Sequence, residues 1–305
     1  MGFAFLAALC FALSAVFAHR TTRLVGVLVA NVTRIWLAVA ALGLLAWAQG
    51  GALRGTALPV FVCSGVVGYG LGDLALFAAY PRLGSRLTSL LMQCLSSPFA
   101  ALIEWLWLGT RPGTAALWCG AAILAGVGLA VSPAAPAAGQ GENLPAPTYR
   151  AAGLVFGVLA ALGQAGGAVI SRKAFAVAHA AGEEIGGFTA SFQRALGGVA
   201  VISVFYVVAR GLGHGRRTEP AADWRAAWPW VVANAVAGAT VGVSFFQLAL
   251  ASTPSAVVMP TIALTPLFVV PFAYFLEGER PSVRSLLGGA MAVAAAATLA
   301  WVRRG

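Results

Sequence analysis

The sequence predicts an all-α integral membrane fold of ten transmembrane helices, arranged as two inverted five-helix repeats. Three observations predict it: a composition too apolar for a water-facing globule, ten segments long enough to span a bilayer, and a second half that repeats the motif order of the first. Hydrophobic residues make up 60% of the 305 and charged residues 9%, where a soluble domain carries about 25% charged residues. The 19 basic and 9 acidic side chains cannot coat a protein of this length, so most of its surface must meet lipid. The 37 glycines and 15 prolines do not signal disorder at a mean hydropathy of +0.88. Glycine suits packed membrane helices, where small residues let backbones approach.

A bilayer core of about 30 Å needs roughly 20 apolar residues in a helix. The ten segments fall near 2–18, 30–48, 57–79, 87–109, 113–132, 151–170, 187–209, 227–249, 254–276 and 284–302. A helix is required because unpaired backbone groups are not tolerated in hydrocarbon, and the Ala/Leu/Gly-rich runs lack the alternation of a β-barrel. The first segment ends in Val16-Phe17-Ala18, which has the look of a signal-peptidase site, but no Lys or Arg precedes it and it is read as a helix. Between spans five and six, Pro133, Pro136, Pro145 and Pro147 with Gly139 and Gly141 mark 133–150 as a linker. It divides the chain into a first repeat, 1–132, and a second, 151–305. A second polar stretch, Arg210 to Arg225, reads as a solvated loop.

The halves match in order. Ala18-His19-Arg20 closes span one and Ser171-Arg172-Lys173 closes span six. Asn31-Val32-Thr33-Arg34 opens span two and Ser191-Phe192-Gln193-Arg194 lies in span seven. Ser97-Pro98 in span four, closed by Leu108-Gly109-Thr110-Arg111-Pro112, answers Thr265-Pro266 in span nine, closed by Glu277-Gly278-Glu279-Arg280-Pro281. Cys119-Gly120-Ala121 answers Gly288-Gly289-Ala290. Five spans per copy is odd, so the second copy inserts upside down, and inverted repeats place a substrate site near the midplane between halves.

With these motifs in register, the chain resembles the drug/metabolite transporter superfamily, specifically its ten-helix EamA-type members. The resemblance is carried by Arg34 and Arg194, by Leu264-Thr265-Pro266-Leu267-Phe268, by Leu276-Glu277-Gly278-Glu279-Arg280, and by Gly70-Leu71-Gly72-Asp73-Leu74-Ala75-Leu76-Phe77 followed by Gly84-Ser85-Arg86. Thr110 stands where the family usually has a glutamate, so any role of that carboxylate is lost or moved. The resemblance implies a multi-pass protein of a bacterial inner membrane, a carrier for small organic molecules, commonly an exporter, with its pathway lined mainly by helices three, four, eight and nine. The expected partners are a small-molecule substrate and the lipid bilayer, with no cofactor; a homodimer is left open.

Polar residues inside the spans are the candidate pathway. Charged groups there cost about 2.5–3.5 kcal/mol on insertion scales, so each needs a reason. Gln93, Ser97 and Glu104 are spaced by 4 and 7 and fall on one helical stripe, as do Tyr69, Asp73 and Tyr80. Thr240, Ser244 and Gln247 form a third stripe; Thr261 and Thr265 begin a fourth. Two readings stand for Asp73: a cavity carboxylate exchanging protons with the pathway, since a dry site disfavours the ionised form, or a structural counter-ion of Arg34 or Arg194. Glu104 lies beside Trp105 and Trp107, which suits an interfacial belt as well as a cavity. Gln93, Gln164 and Gln247 are expected to offer neutral hydrogen bonds to substrate. Arg34 and Arg194, near span starts, are expected to snorkel to headgroups, with anionic substrate binding as the alternative. Pro98 and Pro266 are expected to kink their helices and act as hinges. Glu277 and Glu279 read as loop charges that help cap or gate span nine.

The net charge of +10 does not indicate nucleic acid, because the basic residues are dispersed between apolar stretches. Cys10, Cys63, Cys94 and Cys119 form no C-x-x-C pair, and His19, His179 and His214 lie in or next to loops, so no metal site is expected. The connections after odd-numbered spans hold more Arg and Lys than the others, which by the positive-inside rule puts the termini outside. The main alternative is a membrane-embedded enzyme or lipid-handling protein using the same cavity. It would need convergent His, Asp, Lys or Cys at one depth, where the sequence offers Asp73 and Glu104. A channel would need a ring of charge or a carbonyl filter, which is not visible.

Overall fold

Nine helical runs, and no strands, make up the regular structure of the described residues. A computed structural model describes residues 2–50, 53–108, 113–131, 147–213, 223–253 and 255–302. The runs are α1 (Gly2–Val25), α2 (Val27–Ala48), α3 (Leu58–Trp107), α4 (Thr114–Val131), α5 (Pro147–Ala180), α6 (Gly187–Gly211), α7 (Trp224–Ser252), α8 (Ser255–Ile262 and, after a turn, Thr265–Glu277) and α9 (Val283–Val302). Seven are long and apolar enough to cross a membrane; α4 and α9 hold shorter apolar stretches, Leu117–Ala130 and Val283–Leu299. Large apolar side chains such as Leu44, Trp47, Val207 and Phe275 face outward, as a lipid-solvated surface requires. The chain is an integral, multi-pass membrane protein.

Several expected boundaries change. Spans three and four run together as α3, because the connection between them is one residue rather than a loop. Gly84, at φ 76° and ψ 173°, is the only non-helical position inside the run, and glycine reaches that region without a Cβ penalty. α1 continues to Val25 and α5 to Ala180, past the expected ends at 18 and 170. Charged side chains end an apolar span but do not end a helix, whose backbone bonds continue through Arg20, Arg172 and Lys173. Gly26, at φ 83°, makes the turn from α1 to α2. The 133–146 part of the linker, Gly109 to Pro112 with Thr110, His214, Arg216 and Arg217 lie outside the described residues.

Two helices depart from α geometry. α3 is π-helical over Val66–Gly72 and α7 over Ala235–Gly242. Such wide turns change which face the following residues present, and they often occur at functional sites. Against α3, α6 packs without a gap: a Cβ on Gly65 would stand 1.7 Å from the Arg194 carbonyl oxygen. Gly65→Ala is therefore expected to push α3 from α6 and lose about 1–3 kcal/mol, read as a lower unfolding midpoint in detergent. Gly128→Ala, at a site with open space around its Cβ, is expected to leave the midpoint unchanged or raise it.

Candidate functional site

The two arginines do not snorkel. α2 begins at Val27 and α6 at Gly187, so Arg34 and Arg194 each lie seven residues into their helices, about 10 Å along the axis. Each is 5% exposed. The helix of Arg34 begins three residues before the expected span start at 30, and that of Arg194 begins at the expected 187, so Arg194 lay well inside its span from the outset.

Asp73 follows the π-helical stretch of α3 directly and is buried. It accepts a charge-assisted hydrogen bond from Arg34 Nη2. Arg34 Nη2 also donates to Asn31 Oδ1 at 3.2 Å, and the guanidinium lies 4.9 Å from the centre of the Phe77 ring. Arg194 Nη1 donates to Gln247 Oε1 at 3.1 Å, and its guanidinium lies 5.3 Å from the Tyr69 ring centre. Among the described residues no carboxylate forms an ion pair with Arg194. Arg34 and Asp73 are thus brought together, whereas Arg194 faces a neutral amide.

A cavity of about 60 Å³ lies between these groups. Its polar lining comprises Ser14, Arg34, Tyr69, Asp73, Tyr80, Ser89, Gln93, Gln164 and Arg194, and Phe11, Leu76, Met92, Val243 and Phe246 supply its apolar wall. Gln164 Nε2 donates to Gln93 Oε1 at 2.6 Å across it. The Tyr69, Asp73 and Tyr80 stripe faces the hollow in full, so Asp73 is at once a cavity group and a counter-ion. Toward one end the site is closed by polar packing: Gln247 Nε2 donates to Ser171 Oγ at 3.2 Å, and Ser171 and Ser64 hydroxyls meet at 2.7 Å.

Other expected site residues fall elsewhere. From the Gln93, Ser97 and Glu104 stripe only Gln93 lines the cavity. Spacing fixes the face of a helix but not the depth, and Glu104 is about 16 Å further along. It accepts a hydrogen bond from Ser255 Oγ and lines a separate hollow of about 520 Å³ with Trp107, Arg172, Lys173 and His179. Ser97 is buried outside the lining, and Thr265 Oγ1 donates to the Ile262 carbonyl at 2.6 Å, closing the break in α8. Pro266 sits in the first turn after that break, where its missing N–H costs nothing, so it restarts a helix rather than kinking one. Pro98 lies inside an unbroken stretch of α3. Lining residues come from α1, α2, α3, α5, α6 and α7, with none from α8 among the described residues.

Sequence reasoning missed a polar cluster at the opposite end of the bundle. His19 Nδ1 meets Glu277 Oε1 at 2.8 Å, and Ser85 Oγ donates to Glu277 Oε2 at 2.6 Å. Arg86 Nε donates to Glu279 Oε1 at 2.8 Å and Arg20 Nη1 to the Leu276 carbonyl at 3.1 Å. The glutamates are not free loop charges; Glu277 in particular is largely covered. Ser14, which donates to Asn234 Oδ1 at 2.7 Å, was also passed over. Its signal was a single hydroxyl in the apolar stretch 2–18 of α1.

A buried, charge-bearing cavity inside an all-helical, lipid-facing bundle defines a membrane protein built around a polar interior site. The chain belongs to the EamA-like transporter family, whose model matches residues 1–132 and 151–301. A crystal structure of another protein, 19% identical, covers 99% of this chain and 96% of that chain with a TM-score of 0.67, a likeness of fold. No curated protein matches the chain.

Proposed function

We propose that this protein is a secondary-active carrier that exports a small organic molecule by alternating access, with its solute held in the Arg34, Asp73 and Arg194 cavity. The observation that carries the reading is the pair of buried arginines and one buried carboxylate around a hollow in a chain of a transporter family. A purely structural polar cluster would be packed shut. At about 60 Å³ the cavity is far smaller than the 300–1,000 Å³ of an open ligand site, which suits a small solute.

The reading includes ten spans in two inverted repeats. The Gly84 break supports counting α3 as two spans. The matching π-helical stretches, the seven-residue offsets of Arg34 and Arg194, and family matches on either side of 133–150 support the repeat. Arg20, Arg23, Arg82, Arg86, Arg280 and Arg284 gather at the end of the bundle that carries the His19 and Glu277 cluster. That end is assigned to the cytoplasm of a bacterial inner membrane. Proton exchange at Asp73 is the proposed coupling, and the Arg34 pair must open for it to occur.

Counterflow in proteoliposomes tests the carrier. Saturable, solute-dependent exchange stimulated by a pH gradient is the expected result. Conversion of a substrate without flux would replace the carrier with an enzyme.

A further inference from the structure

The two halves treat their buried arginines differently. In α3 the π-helical stretch ends at Gly72, and the next residue, Asp73, pairs with Arg34. In α7 the stretch ends at Gly242, and the next residue is Val243, which lines the same cavity. The correspondence extends a turn further. Phe77, four residues after Asp73, lies under Arg34, and Gln247, four after Val243, faces Arg194. The position that holds a carboxylate in the half facing Arg34 thus holds a valine in α7. The Arg194 Nε has no hydrogen-bond partner, although the residue is 5% exposed. Two guanidinium groups against one carboxylate leave the cavity with a formal charge of +1. An uncompensated buried charge is among the costliest features a fold can hold, and it becomes favourable when a ligand supplies the opposite charge.

Resting on the carrier reading above, we propose that the solute is a small monoanion bearing a carboxylate, with Arg194 as its counter-ion. A guanidinium presents its donors as a planar fork that fits a carboxylate. The Nε of Arg34 is unpartnered too, but its charge is balanced by Asp73, so Arg194 is the guanidinium left without a counter-charge. The Gln93 and Gln164 amides and the Ser89 hydroxyl line the remainder together with Leu76, Met92 and Phe246, so a short aliphatic tail meets apolar wall there. The hollow admits only a few heavy atoms beyond the carboxylate. One carboxylate neutralises the site, whereas a dianion would reverse its charge.

The test uses the full chain in lipid nanodiscs, with isobutyrate, its neutral isostere isobutyramide, and inorganic phosphate as probes. Thermal unfolding midpoints are titrated with each. Isobutyrate is expected to raise the midpoint saturably, with isobutyramide and phosphate at least tenfold weaker. Arg194→Gln is expected to weaken the isobutyrate response about tenfold or more. Val243→Asp supplies the carboxylate the second half lacks, so it should keep or raise the unliganded midpoint while abolishing the response. The proposal is overturned if no probe acts, if isobutyramide or phosphate acts as well as isobutyrate, or if Val243→Asp still responds. Isobutyrate binding without counterflow would remove the carrier and leave the anion site. Counterflow of neutral solutes that is indifferent to isobutyrate would do the reverse.

Discussion

Asp73→Ala is expected to be the most damaging single substitution in the cavity. It leaves Arg34 buried beside Arg194 with no carboxylate between them, and breaking a buried ion pair from one side costs about 3–5 kcal/mol. Asn31 retains its contact with Arg34 at 3.2 Å, but a neutral amide does not balance the charge. Removing both charges in an Arg34→Gln, Asp73→Asn double variant deletes the interaction without stranding either group. The double variant should therefore unfold at a higher temperature than Asp73→Ala, which fluorescence-detected size-exclusion chromatography after a heat step would measure. If the single and double variants unfold alike, the pair contributes nothing to the fold. Asp73→Asn also removes the balancing charge but keeps the hydrogen-bond acceptor that Asp73→Ala deletes, so it is expected to unfold below the parent and above Asp73→Ala, which allows coupling to be read apart from structure. It should insert and fold, carry out solute exchange, and lose the stimulation by a pH gradient. Transport by the Asn variant with the parent's pH dependence would remove Asp73 as the proton carrier.

Asp73 was legible as a buried charge because a carboxylate in hydrocarbon is too costly to be incidental, whereas Arg34 and Arg194, expected to snorkel to headgroups, are buried beside it. Tyr69, Asp73 and Tyr80 were legible as one face for the same reason that any helical stripe is. Depth was not legible. Gln93 and Glu104 share a face, yet only Gln93 reaches the cavity, and nothing in a spacing says where along a helix the hollow lies. Backbone breaks were not legible from the prolines, since Pro98 lies in an unbroken stretch of α3. The break in α8 comes before Pro266 rather than at it, and Gly84 turns α3 with a single residue that hydropathy alone does not mark. The partners of Glu277 were least legible of all. His19 and Ser85 are 258 and 192 residues away in sequence, on helices whose packing order no local pattern specifies.

Those partners make Glu277→Gln the second substitution with a large expected effect. Ser85 holds Glu277 one helical turn from Ser89, which lines the cavity, so on the proposed carrier reading the cluster is placed to gate one end of the site. In alternating access one end must open while the other stays shut. A gate held by a few hydrogen bonds has a population set by their sum. Hydrogen bonds to a charged group contribute about 1.5–3 kcal/mol each when partly buried. Loss of the Glu277 charge weakens contacts to His19 and Ser85 together, while Arg86 and Glu279 remain at 2.8 Å. The expected result is a shift toward the state open at this end, rather than unfolding. A cysteine at position 89, placed in a chain with Cys10, Cys63, Cys94 and Cys119 replaced by Ala, would report it. Labelling by a membrane-impermeant maleimide should be slow in the parent and about tenfold or more faster in the Glu277→Gln chain, from the arginine-rich side only. Equal labelling from both sides would mean a general loosening of the bundle. Unchanged labelling would show that the cluster fastens helix ends without gating the cavity.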